Sequence, residues 1–144
     1  MANPFLVLGG IAVGIVTAGF GILQVPGWIA NAQDASAKND VAQVSIGQAA
    51  SLSINGFAQE TIAGINGDAK IGVKVTTQAK AGKVGISVDD TGKHYAVTVE
   101  SDSGKFFSRV DGGEIATGDT AAAAFAAAKS ADTPADLEAP TITD

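Results

Sequence analysis

Residues 4–30, PFLVLGGIAVGIVTAGFGILQVPGWIA, carry no charge, and only Thr17 and Gln24 interrupt them with polar side chains. As a helix rising ~1.5 Å per residue, this segment reaches roughly 40 Å, enough for a hydrocarbon core of about 30 Å. A buried core helix is one alternative. Such helices are usually shorter, and a domain of 144 residues has little to wrap around such a rod. A secretory signal is another, because Ala30-Asn31-Ala32 imitates a small-x-small cleavage site. No basic residue precedes the run, and it exceeds the usual ~7–15 apolar residues, so a segment retained on the molecule is expected.

Gly9, Gly10, Gly14, Gly19 and Gly21 are costly in a helix, at about 1 kcal/mol each relative to alanine. Gly10 and Gly14 have small-x-x-x-small spacing, and Ala18 and Gly21 continue the stripe at helical intervals. Stripes of this kind let helix backbones approach closely in lipid, where packing drives association. Simple tolerance of glycine in membrane helices is the plainer account. Pro26 removes a backbone donor and is expected to kink or loosen the helix, and Trp28 follows as an interfacial anchor.

Beyond Pro26 the helical pattern continues in a different solvent. From Asn31 to about Ile54 polar residues interleave with Val41, Val44, Leu52 and many alanines, and Ala37, Val41 and Val44 share one face. Asn55-Gly56 is a suitable stop. One long helix is therefore expected over residues 1–55, apolar to about residue 30 and amphipathic after it. Gly64-Ile65-Asn66-Gly67 reads as the turn into the next region.

In residues 56–118 the period changes from helical to alternating. Ile71-Val73-Val75, Val84-Ile86-Val88, Tyr95-Val97-Val99 and Phe106 to Val110 predict four half-buried strands, an antiparallel meander with one face for the helix. Asp90-Thr91-Gly92-Lys93 and Asp102-Ser103-Gly104-Lys105 repeat a turn motif twelve residues apart, with Asp starting the turn and Gly supplying positive φ. Neither is a phosphate loop, since the rest of the nucleotide-binding pattern is missing. Calcium at Asp89, Asp90 and Asp102 is a weaker reading than exposed turn aspartates.

Residues 119–144 form the third zone. Asp119 is a plausible N-cap for an alanine-rich helix from Thr120 to Lys129 around Phe125. Pro134 and Pro140 bound an acidic terminus, either a solvated tail or a segment lying on a neighbouring subunit. The fold class expected is thus α+β: a long N-terminal helix on a small antiparallel meander, followed by an Ala-rich acidic tail.

Composition excludes several functions. Fifteen acidic residues against nine basic give a formal charge of −6, with no cysteine and a single histidine, His94. Thiol chemistry and disulfides are impossible, and nucleic-acid binding lacks its basic stripe. His94 is placed on the exposed face of its strand without an evident partner. No catalytic residue, metal ligand or cofactor is expected.

Residues 25–41, VPGWIANAQDASAKNDV, resemble the end of the shared helix of type IV pilins and pseudopilins, where an apolar helix meets a proline and continues through a polar A-S-x-K-x-D-[LV] stretch. The order of elements is also similar, and Gly92-Lys93-His94-Tyr95-Ala96-Val97 and Ser103-Gly104-Lys105-Phe106-Phe107 resemble hairpins of Gram-positive members. The likeness spans about residues 5–110. Counted back from Pro26, the family's mature start falls at Phe5 and its acidic position is occupied by Gly9; no basic leader ending in glycine precedes Phe5. The resemblance implies a filament subunit that is membrane-inserted before assembly, is handled by assembly machinery and then polymerises with itself on the cell surface. A single-pass anchored pseudopilin or binding domain and a membrane-embedded viral coat protein are the alternatives.

Overall fold

The computed structural model describes residues 4–80 and 82–142, with side chains from Gly27 onward. The chain divides into two units, residues 1–32 and 33–144. Helix α1 is Pro4–Asn55, 52 residues. Gly10, Gly14, Ala18, Gly21 and Pro26, the expected assembly and kink positions, lie outside the residues whose side chains are described. Most of the apolar run lies there too, and among the described residues no helix is long and apolar enough to cross a membrane.

α1 stops as its sequence dictates. Gly56 takes φ +79°, and its N–H donates to the Leu52 carbonyl at 3.1 Å, closing the last turn. In the second unit α1 buries Ala37, Val41 and Val44 against the sheet, together with Asp40, Ser45, Gln48 and Ser51. The stripe 37, 41, 44, 48, 51 follows the helical period, but two of its five residues are polar. Each polar member of that stripe clamps the connecting segment: Gln48 donates to the Gln59 carbonyl at 2.6 Å and accepts from its N–H at 2.8 Å, while Ser51 donates to the Phe57 carbonyl at 2.8 Å.

The sheet consists of β1 (Val84–Val88), β2 (Tyr95–Glu100), β3 (Phe106–Val110) and β4 (Ala116–Gly118), antiparallel throughout in the order β1-β2-β3-β4. The strand expected at Ile71–Thr76 is absent, and β4 takes the fourth place. Ile71 and Val75 are buried as their alternation requires, yet the segment's backbone bonds to side chains rather than to a neighbouring strand. Asn66 accepts from the Val75 N–H at 2.7 Å and donates to its carbonyl at 2.8 Å, an amide standing in for a ladder partner. Asn66 belongs to α2 (Ile62–Gly67), capped by Thr61, where the sequence had suggested only a turn.

β2 is buried on both faces, so the expectation of a sheet with one covered face is corrected. Tyr95, Val97, Val99 and Phe107 join the core under α1. On the opposite face Ala96 and Val110 form a second core with Phe125 and Leu137, beside the buried pair Thr98 and Ser108, whose hydroxyls meet at 2.9 Å. Phe125 lies in α3 (Ala121–Ala128), capped by Thr120 and not by Asp119. α3 approaches β4 so closely that a Cβ on Gly118 would stand 2.9 Å from the Ala124 Cα. The terminal segment returns over β1, with the Ser87 hydroxyl donating to the Glu138 carbonyl at 2.6 Å and Pro140 and Thr141 against Gly85. As far as residue 142 the tail lies on its own sheet.

Candidate assembly surface and polar clusters

Trp28 is 69 % exposed on α1, and Ile29 beside it is exposed as well. In the second unit, the α1 face turned away from the sheet presents Ala35, Asn39, Ala42, Ile46, Ala49 and Ser53, uncharged and alternating by four and three residues. Five of the six are exposed and Ala42 is half-buried. Such spacing keeps a helix face directed at a partner helix. Ile54 and Phe57 extend the exposed apolar surface at the helix end.

Both hairpins turn at the expected glycines, with φ +70° at Gly92 and +85° at Gly104. Their organising side chains lie one residue earlier than Asp90 and Asp102. Gly92 N–H donates to the Asp89 carbonyl and Gly104 N–H to the Ser101 carbonyl. The buried Asp89 carboxylate accepts from the N–H groups of Lys93 at 2.9 Å and His94 at 2.8 Å and from the Thr91 hydroxyl. Burial pushes this carboxyl up, but the hydrogen bonds of Thr91, His94 and Lys93 outweigh it and hold it below its ordinary 3.8. Asp90 and Asp102 are exposed and serve elsewhere. The Asp90 N–H donates to Asp136, and Asp102 joins Glu100 around the Lys83 ammonium at 3.1 and 3.2 Å. Hydrogen bonds to Asp102 and Glu100 raise the lysine's affinity for its proton.

His94 has a partner after all. It precedes β2, and its Nδ1 lies 2.8 Å from an Asp111 carboxylate oxygen whose twin accepts from the Tyr95 N–H at 2.8 Å. Asp111 adopts φ +48°, a conformation that aspartate tolerates better than most residues. The hydrogen bond to Asp111, partly opposed by burial, raises the imidazole above its ordinary 6.5.

A cleft of about 170 Å³ lies beside Asp40, Gln78, Glu100 and Asp102. Its deepest carboxylate is saturated, because Asp40 accepts from Gln78 N–H at 2.9 and 3.0 Å and from Ala79 N–H at 2.7 Å. Lys83 bridges the other two. A second cleft, about 580 Å³, runs along β1 beside Glu60, Asp90, Asp136 and Glu138.

Asp40, Gln48, Asn66 and Asp111 were not singled out from the sequence. The available signal was a polar residue at core spacing, as in Ala37-x-x-Asp40-Val41, but its backbone partners lie too far along the chain to be inferred from local pattern. No known protein family, curated protein or solved structure matches the chain.

Proposed function

We propose that the chain is the structural subunit of an extracellular type IV pilus-like filament, in which the apolar first half of α1 bundles with its copies and the sheet unit faces outward. One observation carries the reading: a single helix, Pro4–Asn55, joins a charge-free segment to a segment that buries Ala37, Val41 and Val44 against an antiparallel sheet. The likeness of residues 25–41 to the pilin helix is consistent with this order of parts. Burying an apolar run of this length requires either lipid or many copies of itself. Gly10, Gly14, Ala18 and Gly21 would allow the helices to approach closely, and Pro26 would let the helix loosen during the transfer from membrane to bundle. The outward row of Ala35, Asn39, Ala42, Ile46, Ala49 and Ser53 offers neighbouring helices an uncharged seam beyond the apolar segment. No chemistry is asked of the sheet unit, where the buried Asp40, Gln48, Ser51 and Asp89 are occupied in holding its loops.

The test is electron microscopy of material sheared from cells, with the constituent chain identified by mass spectrometry of its intact N-terminus. Thin, uniform fibres made of this chain are expected. Recovery only from detergent-extracted membranes, with no fibres, would replace this reading with that of an anchored pseudopilin or binding domain. Recovery in virus particles would replace it with that of a coat protein.

A further inference from the structure

β1 has an unpaired edge. The Asp89 N–H donates to the His94 carbonyl and the Glu100 N–H to the Lys83 carbonyl, so residues 83, 85, 87 and 89 direct their backbone groups towards β2. By alternation, Val84, Ile86 and Val88 direct theirs outward, where no backbone partner meets them among the described residues. The second cleft follows this edge. Half-buried Ile86 and Val88 line it together with Glu60, Asp90, Asp136 and Glu138, and no basic residue lines it.

Free main-chain groups along a short groove fit an extended segment added as a further strand. The carboxylates decide which kind. A second β1 edge would set the same four acids against their copies, and like charges held together across a strand pair are destabilising. The chain's own basic stretch, Lys70 to Lys83, has its backbone tied to Asn66 and Asp40 around buried Ile71 and Val75. We propose that the β1 edge is a docking groove for an extended, lysine- or arginine-bearing segment of another protein, which pairs with the outward groups of Val84, Ile86 and Val88 while its cations meet the carboxylate rim. Five residues of β1 at ~3.4 Å each give the partner strand roughly 17 Å of ladder. This inference does not depend on polymerisation.

The experiment uses the full chain in non-ionic detergent and a fluorescent, end-blocked decapeptide of alternating lysine and valine. Saturable anisotropy binding is expected at low salt, weakening by about tenfold or more at high salt as the rim is screened. The same peptide N-methylated at alternate amides keeps its charge but loses its ladder donors, and is expected to bind at least about tenfold less well. Ile86→Pro removes one outward donor that β2 does not use. It should abolish binding in a chain that still folds, since proline is tolerated where a strand N–H faces outward, with a lowered melting temperature because the Ile86 side chain also packs against the core. If that variant fails to fold, Asp136→Lys with Glu138→Lys tests the rim instead, with binding again lost. Absence of saturable binding, equal binding of the methylated peptide or equal binding of a glutamate-valine peptide would overturn the proposal. So would self-association of the unliganded chain that Ile86→Pro abolishes, because a second copy would then occupy the edge.

Discussion

Asp40 sits fully buried on a helix face that otherwise reads as core, where an uncompensated charge is expensive. It persists because the backbone at Gln78 and Ala79 supplies its hydrogen bonds and leaves no oxygen idle. Asp40→Ala strands two N–H groups at the end of the connecting segment and is expected to cost about 2–4 kcal/mol, read as a loss of melting temperature. Asp40→Asn keeps one acceptor oxygen and should cost about half as much. Gly47 makes the complementary point, since a Cβ there would stand 2.5 Å from Val75 Cγ2 and 2.9 Å from Ile65 Cγ2. His94 and Asp89 each make stability depend on pH. With the imidazole raised above 6.5 in the folded state, the contribution of His94 is fully present below pH 6.5 and is lost as pH rises through the folded value. Asp89, held below 3.8, contributes above that value and loses its contribution as pH falls through the folded one. An NMR titration of His94 is expected to show a midpoint above 6.5 that drops in Asp111→Asn.

At the scale of elements, α3 is the clearest case of structure imposed by tertiary contact. Eight residues, seven of them alanine, make a marginal helix alone, whatever alanine's propensity. Phe125, 7 % exposed between Val110 and Leu137, is the residue that docks it. Phe125→Ala is expected to cost about 3–5 kcal/mol and to expose the chain beyond Thr120 to proteolysis before the sheet unfolds. A uniform melt without that early cleavage would show the tail to be part of the same cooperative unit. The local pattern made three strands and the end of α1 readable, because alternation and the Asn55-Gly56 stop are nearest-neighbour signals. It misplaced the fourth strand for a physical reason. Ile71, Val73 and Val75 alternate because one side faces the core, and burial alone produces that pattern whether the backbone pairs with a strand or with Asn66 and Asp40. β4, only three residues long, owes its place to Phe106, Phe107 and Ser108 across the ladder and to α3 against Gly118. The Asp111 acceptor escaped the sequence reading likewise, since it meets His94 and Tyr95 only after β2 and β3 have paired.

For the whole molecule, the filament reading and the β1 groove make opposite demands on salt, and that separates them. Polymerising a chain of net charge −6 brings like charges together, so added salt should favour fibres by screening them. A basic segment in the acidic groove should instead be released. Fibre yield rising with ionic strength while peptide binding falls is therefore the expected pair of results, from light scattering and anisotropy on one preparation. Gly14→Leu with Gly21→Leu then tests what holds the fibre together. Leucine preserves the apolarity that membrane insertion needs, but it holds neighbouring backbones apart. Each 1.4 kcal/mol lost at a repeated contact lowers its association constant about tenfold, so the double variant is expected to accumulate in membranes and yield no fibres. Fibres of normal abundance from that variant would show that the heads do not pack through this stripe. The seam from Ala35 to Ser53 would then be the next place to substitute, with Ala42→Glu and Ala49→Glu, because a charge buried between helices is costly without a partner.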